Sequence, residues 1–161
     1  MVPENKSTIK RGYAVVALDH PMNGLNVGQA LRASGCYGVD LFVVGGPHAH
    51  YHRKQLFGHP ADTQKAYRHI PSCITDDVFN LLPYDCVPIA VELLPQAKSL
   101  VEYRHPERAF YIFGAEGETL DARVVDKCKE VIYVPTNFCM NLAACVNVVL
   151  YDRLAKQRRI F

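Results

Sequence analysis

The chain has 161 residues, 49% of them hydrophobic, which is enough for one domain with a substantial core. Eighteen lysines and arginines against 16 aspartates and glutamates give a formal charge of +2. This near balance argues against a protein that coats nucleic acid through bulk charge and leaves room only for a local basic patch.

Short apolar runs alternate with helical patterns along the whole chain. The runs are apolar throughout rather than at every second position, which is typical of strands buried on both faces of a parallel sheet. The predicted strands are Tyr13–Leu18, Leu41–Val44, Val87–Leu93, Ala109–Phe113 and Val131–Val134, with a weaker candidate at Ala66–Ile70. The predicted helices are Asn26–Cys36, His52–Phe57, Asp77–Leu82, Lys98–Tyr103, Asp121–Cys128 and Asn141–Gln157. This order predicts one α/β domain over residues 1–161, a mostly parallel sheet covered by helices on both faces.

Ligands of such sheets collect at the carboxyl ends of the strands, so the loops after Leu18, Phe113 and Val134 are the places to search for a site. The first of these loops leads into a helix whose expected N-cap is Asn26, with Gln29 completing a pair that resembles a capping box.

Arg32 is the candidate binding residue of this first helix. Gly28, Arg32 and Gly35 share one helix face, so an arginine in an open groove between glycines can grip a phosphate with both arms of its guanidinium. An ordinary exposed arginine is the alternative. The region has neither a G-x-G-x-x-G pattern nor a P-loop lysine, which argues against a dinucleotide-binding oxidoreductase.

The stretch "FGAEGETL" follows the fourth predicted strand. Gly114 and Gly117 permit close approach of the backbone, and Glu116 brings one carboxylate to the carboxyl end of the strand. The alternative is a glycine-rich turn with a solvated glutamate.

The terminal helix is apolar on nearly all sides, so we expect it to be covered on two sides. One side can pack on the sheet, and the other side then meets a second subunit across a two-fold axis. The main stripe contains Leu142, Cys145, Val146, Val149 and Leu150, and the opposite side contains Ala143, Ala144 and Val148.

Two clusters of basic side chains have simple explanations. His48, His50 and His52 would share a face in an extended segment and could ligate zinc, but no cysteine or carboxylate stands close in sequence, so a solvated loop and no metal are expected. Other cations cluster near the two termini and are interpreted as solvated ends rather than a nucleic-acid patch. They are Lys6, Lys10, Arg11, Arg153, Lys156, Arg158 and Arg159.

The cysteines and the ends of the sequence predict the compartment. Six cysteines form no CxxC pair, the N-terminus has no apolar signal segment, and no apolar run is long enough to cross a bilayer. These features predict a soluble cytoplasmic protein with free thiols and no membrane contact.

Three motifs in order resemble the SPOUT superfamily of trefoil-knotted RNA methyltransferases, in its TrmH (SpoU) branch. Asn26 and Arg32 match the first motif, "FGAEGETL" the second, and "CMNLAACVNVVLYD", with Asn141 and Tyr151, the third. The resemblance covers nearly the whole chain. It is strongest to the minimal TrmL-like members without an added RNA-binding domain, such as the enzyme that methylates the tRNA wobble ribose.

This resemblance implies S-adenosylmethionine (SAM) as methyl donor, a ribose 2′-hydroxyl of RNA as acceptor, a C-terminal knot, and a homodimer whose site is shared between subunits. Arg32, Asn26, Glu116 and Asn141 are then the candidate catalytic residues, with Arg32 binding a phosphate and with Glu116 and Asn141 shaping the cofactor and active-site loops. The implied cofactor contacts are Val91, Gly114, Val134, Cys139, Met140 and Asn141.

Cys139 stands where the family's third motif usually has a serine, and a thiol is the weaker hydrogen-bonding group. Three functions therefore remain open. The favoured one is a SAM-dependent RNA 2′-O-methyltransferase acting on tRNA, or alternatively on rRNA. The others are a non-catalytic RNA- or SAM-binding protein on the same scaffold and an unrelated nucleotide-binding α/β enzyme.

Overall fold

The computed structural model describes residues 12–158, which form a seven-stranded sheet and four α-helices. The strands are β1 (Tyr13–Asp19), β2 (Leu41–Gly45), β3 (Ser72–Thr75), β4 (Val87–Val91), β5 (Lys98–Ser99), β6 (Arg108–Phe113) and β7 (Glu130–Tyr133). The α-helices are α1 (Gly24–Cys36), α2 (Arg53–Leu56), α3 (Ala122–Lys127) and α4 (Leu142–Arg158). Short 3₁₀ helices occupy Ala49–His52, Ala66–Arg68 and Val78–Leu81.

All pairings in the sheet are parallel, and the strand order is β3-β2-β1-β6-β4-β7-β5. The centre is formed by β1 and β6, where Val16 lies opposite Tyr111 and both are fully buried. Burial on both faces explains why the central strands are continuously apolar in sequence.

Two hydrophobic cores lie on the two faces of the sheet. On one face, Leu31 of α1 and Val146 of α4 pack over Val16 and Tyr111. On the other face, Val124 of α3 packs with a second buried cluster that includes Phe110 and Leu120. The predicted α/β fold with helices on both faces is therefore confirmed. No helix in the described part of the chain combines the length and apolarity needed to span a membrane.

Three predicted elements were wrong. The weak strand at Ala66–Ile70 is a 3₁₀ helix, and the neighbouring strand β3 begins only at Ser72, after Pro71. The predicted helix Lys98–Tyr103 is instead the short strand β5 followed by turns. Its helix-like spacing arises because Leu100 and Tyr103 are both buried. The predicted helix Asp77–Leu82 is only one 3₁₀ turn, which the Asp77 carboxylate caps by accepting from the Phe79 N–H at 2.9 Å.

The predicted solvated cluster at the C-terminal end was wrong for two of its members. Arg153 is buried and donates to the carbonyl oxygens of Pro106 and Glu107 at 2.7 and 2.8 Å. Lys156 donates to the Tyr103 carbonyl at 2.9 Å and pairs with Asp152. Both cations thus hold the turns around β5 and β6 to α4. The remaining members of the two terminal clusters have side chains outside the described part: Lys6, Lys10, Arg11, Arg158 and Arg159.

A chain of hydrogen bonds that sequence reasoning did not predict runs through His105. The Arg153 guanidinium donates to the Tyr111 hydroxyl at 3.1 Å, and this hydroxyl lies 2.6 Å from His105 Nδ1. On the other side of the ring, His105 Nε2 lies 2.8 Å from Asp152, which also pairs with Lys156. A neutral His105 that accepts from the Tyr111 hydroxyl at Nδ1 and donates to Asp152 from Nε2 gives each of these groups a hydrogen-bond partner. Burial lowers the pKa of His105 although Asp152 opposes the shift.

We expect acid to weaken the fold through His105. The folded protein binds a proton at His105 more weakly than the unfolded chain does. The free energy of unfolding therefore keeps its full value, as far as His105 is concerned, above the ordinary histidine pKa of 6.5, and it falls as the pH drops from there toward the lowered pKa of the folded protein. Urea unfolding at pH 7.5 and about pH 5.5 tests this. The wild type should lose more unfolding free energy between these values than His105→Gln does, and an equal loss would contradict the assignment.

Candidate active site

The first helix begins earlier than predicted. Asn23, with an extended backbone, is the N-cap of α1, and its Oδ1 accepts from the Leu25 N–H at 2.8 Å. The prediction that Asn26 is the N-cap was therefore wrong. Asn26 lies in the first turn with a buried side chain, which frees its amide for long-range contacts.

The Asn26 amide joins the three predicted loops. Its Nδ2 donates to Glu116 Oε1, and its Oδ1 accepts from Asn141 Nδ2 at 2.8 Å. The other Glu116 oxygen accepts from the Met22 N–H at 3.0 Å. Asn141 Oδ1 accepts from the Ala143 N–H at 2.9 Å, so Asn141 also caps α4. The loops after β1, β6 and β7 are thus tied together, and Glu116 is not the solvated turn residue of the alternative interpretation.

A cleft of about 700 Å³ lies beside this network, at the carboxyl ends of β4, β6 and β7. Its size is suitable for a nucleoside-sized ligand. Five of the six predicted cofactor contacts line it, together with Glu116; these five are Val91, Gly114, Val134, Cys139 and Met140. The sixth, Asn141, follows Met140 directly but faces a second pocket.

Several residues that sequence reasoning missed also line the cleft. Glu92 directly follows β4, and its carboxylate accepts from the Leu93 and Leu120 N–H groups, both at 2.9 Å. It therefore fastens the loop after β6 to the end of β4. Sequence reasoning could have found Glu92, because it directly follows Val91, a predicted cofactor contact at the end of a strand. Other missed residues of the lining include Leu93, Thr136, Phe138, Leu142 and Cys145.

Cys145, one of the two cleft cysteines, does not have the surroundings of a catalytic nucleophile. Burial, with a smaller contribution from Glu92, raises the pKa of Cys145 to about 11, so its thiol is neutral at physiological pH. Cys139 is exposed at the edge of the cleft and has no disulfide partner.

Arg32 lies in a second pocket of about 440 Å³ between α1 and α4. The guanidinium-bearing side chain is exposed there, next to Asn141 and Asn147 of the α4 region. The prediction of an open groove between Gly28 and Gly35 was wrong, because His59 packs against Gly28 and Ala66 packs against Gly35. Small residues of α4 instead leave space around Arg32: Ala143 and Ala144.

The histidine cluster does not form the extended face that a zinc site would need. Its residues lie in and beside a 3₁₀ helix, where His52 Nε2 donates to the Pro21 carbonyl at 2.6 Å. The ring of His50 packs 4.2 Å from that of Tyr51. Among residues 12–158, no group of three or more His, Cys, Asp or Glu side chains is arranged to hold a metal ion.

Comparison with known proteins assigns the family. The model of the SpoU rRNA Methylase family matches residues 13–151, which is most of the chain. The chain belongs to the SpoU methylase family. This membership excludes an unrelated nucleotide-binding enzyme, while a search of curated proteins found no match.

Solved structures with the same fold share little sequence with this SpoU-family chain. AviRb from Streptomyces viridochromogenes, a SpoU methyltransferase solved with AdoMet, superposes with a TM-score of 0.78 at 15% identity, over 92% of this chain and 59% of AviRb. The A. aeolicus TrmH/SpoU tRNA-modifying enzyme gives 0.74 at 15% identity, over 92% and 79%. A protein from a structural study of 2-OH methylation of C/U34 on tRNA gives 0.72 at 19% identity, over 91% and 97%. This chain therefore spans about three fifths of AviRb but nearly the whole of the C/U34 protein.

Proposed function

We propose that this SpoU-family protein transfers a methyl group from SAM to a ribose 2′-hydroxyl of RNA, with tRNA as the substrate. The observation that supports this most strongly is the Asn26–Glu116–Asn141 network, because it joins the wall of the cleft to the pocket of Arg32. A methyl donor and an acceptor need such a fixed relation. The likeness in fold to a protein studied for C/U34 methylation over nearly its whole length supports tRNA over rRNA.

The cleft fits SAM by its size and lining. Its floor contains the apolar side chains of Val91 and Leu142, suited to an adenine ring, and Gly114 leaves its backbone accessible from one side. A Cβ at Gly114 would lie 3.0 Å from Leu120 Cγ, so the glycine also lets the buried Leu120 pack closely against the backbone that follows β6. Val134, Cys139 and Met140 complete the proposed contacts from the loop after β7.

The residues of this chain would act by positioning. Bound SAM supplies an electrophilic methyl group whose thioether leaves neutral, so no acid has to protonate the leaving group. A guanidinium stays protonated and is a poor base. Arg32 would instead hold an RNA phosphate and aim the neighbouring 2′-hydroxyl, whose proton would pass to a phosphate oxygen or to water as the hydroxyl oxygen takes the methyl group. Asn26, Glu116 and Asn141 would keep the loops in register. Such positioning can lower the barrier by several kcal/mol.

A homodimer and a C-terminal knot belong to the same proposal. The predicted main stripe of α4 is largely buried, and Ala143, which was predicted on the opposite side, is buried as well. The rest of that side exposes Val148 and Tyr151, and Leu25 is exposed on α1. A second copy would cover these side chains and complete the site. The order β4-β7-β5 supports the knot, since the later strand β7 lies between two earlier ones. The six unpaired cysteines support a cytoplasmic location.

We expect light scattering to give the mass of a dimer for the wild type. Val148→Asp with Tyr151→Asp should give a monomer, because the substitutions bring charge into an apolar interface, and transfer activity should fall with it. Tyr84→Asp is the control and should remain dimeric, because Tyr84 is exposed between Leu82 and Cys86, which pack in the core on the opposite face of the sheet. A monomeric wild type at micromolar concentration would contradict the shared site.

Transfer of tritiated methyl groups from SAM into bulk tRNA and rRNA tests the proposed function. Incorporation into tRNA is the expected result, and incorporation into rRNA alone would favour the ribosomal alternative. Calorimetry with SAM should show binding. Binding without transfer to either RNA would instead favour the non-catalytic alternative that Cys139 suggests.

A further inference from the structure

The segment between β2 and β3, residues 47–69, is basic and has no part in the proposed reaction. It contains four of the chain's 18 lysines and arginines and only one carboxylate, that of Asp62. Asp62 is buried, and its Oδ1 accepts from the Ala66 N–H at 2.9 Å. The exposed side of the segment therefore carries no carboxylate. Its four exposed cations are Arg53, Lys54, Lys65 and Arg68.

Aromatic rings are exposed among these cations. Tyr51 is 70% exposed, and Phe57 is 50% exposed. Neighbouring rings brace both side chains: His50 lies 4.2 Å from Tyr51, and Tyr67 meets Phe57 edge to face at 6.1 Å. Exposed, braced rings between cations are what single-stranded nucleic acid needs, because bases stack on the rings while phosphates meet the cations.

The segment lies along α1 and reaches the Arg32 pocket. A Cβ at Gly24, Gly28 or Gly35 would come within 3 Å of Gln55, His59 or Ala66, respectively. These glycines thus let the segment follow α1 over its 13 residues, about 20 Å at 1.5 Å per residue. Two residues of the segment line the same pocket as Arg32; they are Ala61 and Thr63.

We propose that residues 47–69 bind unpaired nucleotides next to the ribose that Arg32 positions. Tyr51 and Phe57 stack on bases, and the four cations contact phosphates. The inference rests on the proposed function and narrows its substrate to RNA with an unpaired stretch at the target. A continuous duplex would meet the cations but would offer no free base faces to the rings.

Fluorescence anisotropy with two labelled RNAs of equal length, a stem-loop and a blunt duplex, tests this. Tyr51→Ala and Phe57→Ala together should weaken stem-loop binding about tenfold or more and leave duplex binding within about twofold. Arg53→Ala with Lys54→Ala should weaken both and lower the slope of log affinity against log salt by about 1.5, or roughly 0.7–0.9 per lost contact. Tyr51→Ala alone, at a solvent-exposed site, should give part of the effect.

Arg123→Ala with Lys127→Ala is the matched control, since it removes the same charge from exposed positions on α3. Its binding to both RNAs should stay within about twofold of the wild type. If the wild type methylates RNA but the segment variants bind like this control, the inference is overturned and the proposed function stands. Equal losses on stem-loop and duplex for the ring variants would also overturn it. A wild type that neither binds RNA nor transfers methyl groups would overturn both.

Discussion

Arg32→Ala should reduce methyl transfer to RNA about 100-fold or more and leave the affinity for SAM unchanged. The guanidinium lies outside the cleft, in the neighbouring pocket, so its loss should misplace the acceptor ribose without disturbing the donor. Misplacement of a reacting group by about 1 Å can cost a factor of this size. Single-turnover transfer at saturating SAM measures the first effect, and calorimetry measures the second.

Two variants make this result specific. Arg32→Lys keeps the charge but loses the two-armed grip on phosphate, and an intermediate loss of about tenfold is expected. Arg123→Ala removes an exposed arginine on the opposite face of the sheet and should transfer at the wild-type rate. Transfer by Arg32→Ala within about threefold of the wild type would remove Arg32 from the mechanism.

Arg153→Met should lower the free energy of unfolding by about 3 kcal/mol. The substitution removes charge-assisted hydrogen bonds to two carbonyl oxygens and to Tyr111, each worth about 1.5–3 kcal/mol, and methionine offsets part of the loss by filling the space. The loss should appear as a lower urea midpoint at an unchanged slope. Because Arg153 is far from the cleft, the affinity for SAM in the remaining folded protein should not change.

The control for Arg153 is an arginine without buried partners. Arg123 is exposed, and within residues 12–158 its ion-pair partner is Asp121 at the start of the same helix, so Arg123→Met should change stability by less than about 0.5 kcal/mol. Equal midpoints for the two variants would show that the buried network around Arg153 does not stabilise the fold.

Sequence pattern was sufficient for the central strands and insufficient for the edges of the sheet. β1 and β6 are buried on both faces, so their sequences are continuously apolar and identify them as strands. The edge strands β3 and β5 are short and contain polar residues, so neither has such a run. Their place depends on hydrogen bonds to β2 and β7, which no local pattern encodes.

The candidate site was predictable as a set of loops but not as a set of contacts. Parallel strands bring their carboxyl ends to one edge, which is why the loops after β1, β6 and β7 could be chosen in advance. The bonds of Asn26 to Glu116 and to Asn141 span 90 and 115 positions, and spacing within one helix cannot reveal them. The surroundings of Arg32 could not be predicted either, because His59 and Ala66 from another segment occupy the space beside Gly28 and Gly35.

The position of the transferred methyl group tests the central claim most directly. RNA labelled by the protein with tritiated SAM should be hydrolysed in alkali, which cleaves next to every free 2′-hydroxyl and cannot cleave next to a methylated one. We predict that the label is recovered in alkali-resistant dinucleotides and that Arg32→Ala lowers its amount about 100-fold or more. Label in mononucleotides would mean methylation of a base, and it would contradict a site in which Arg32 aims a ribose hydroxyl at the cleft.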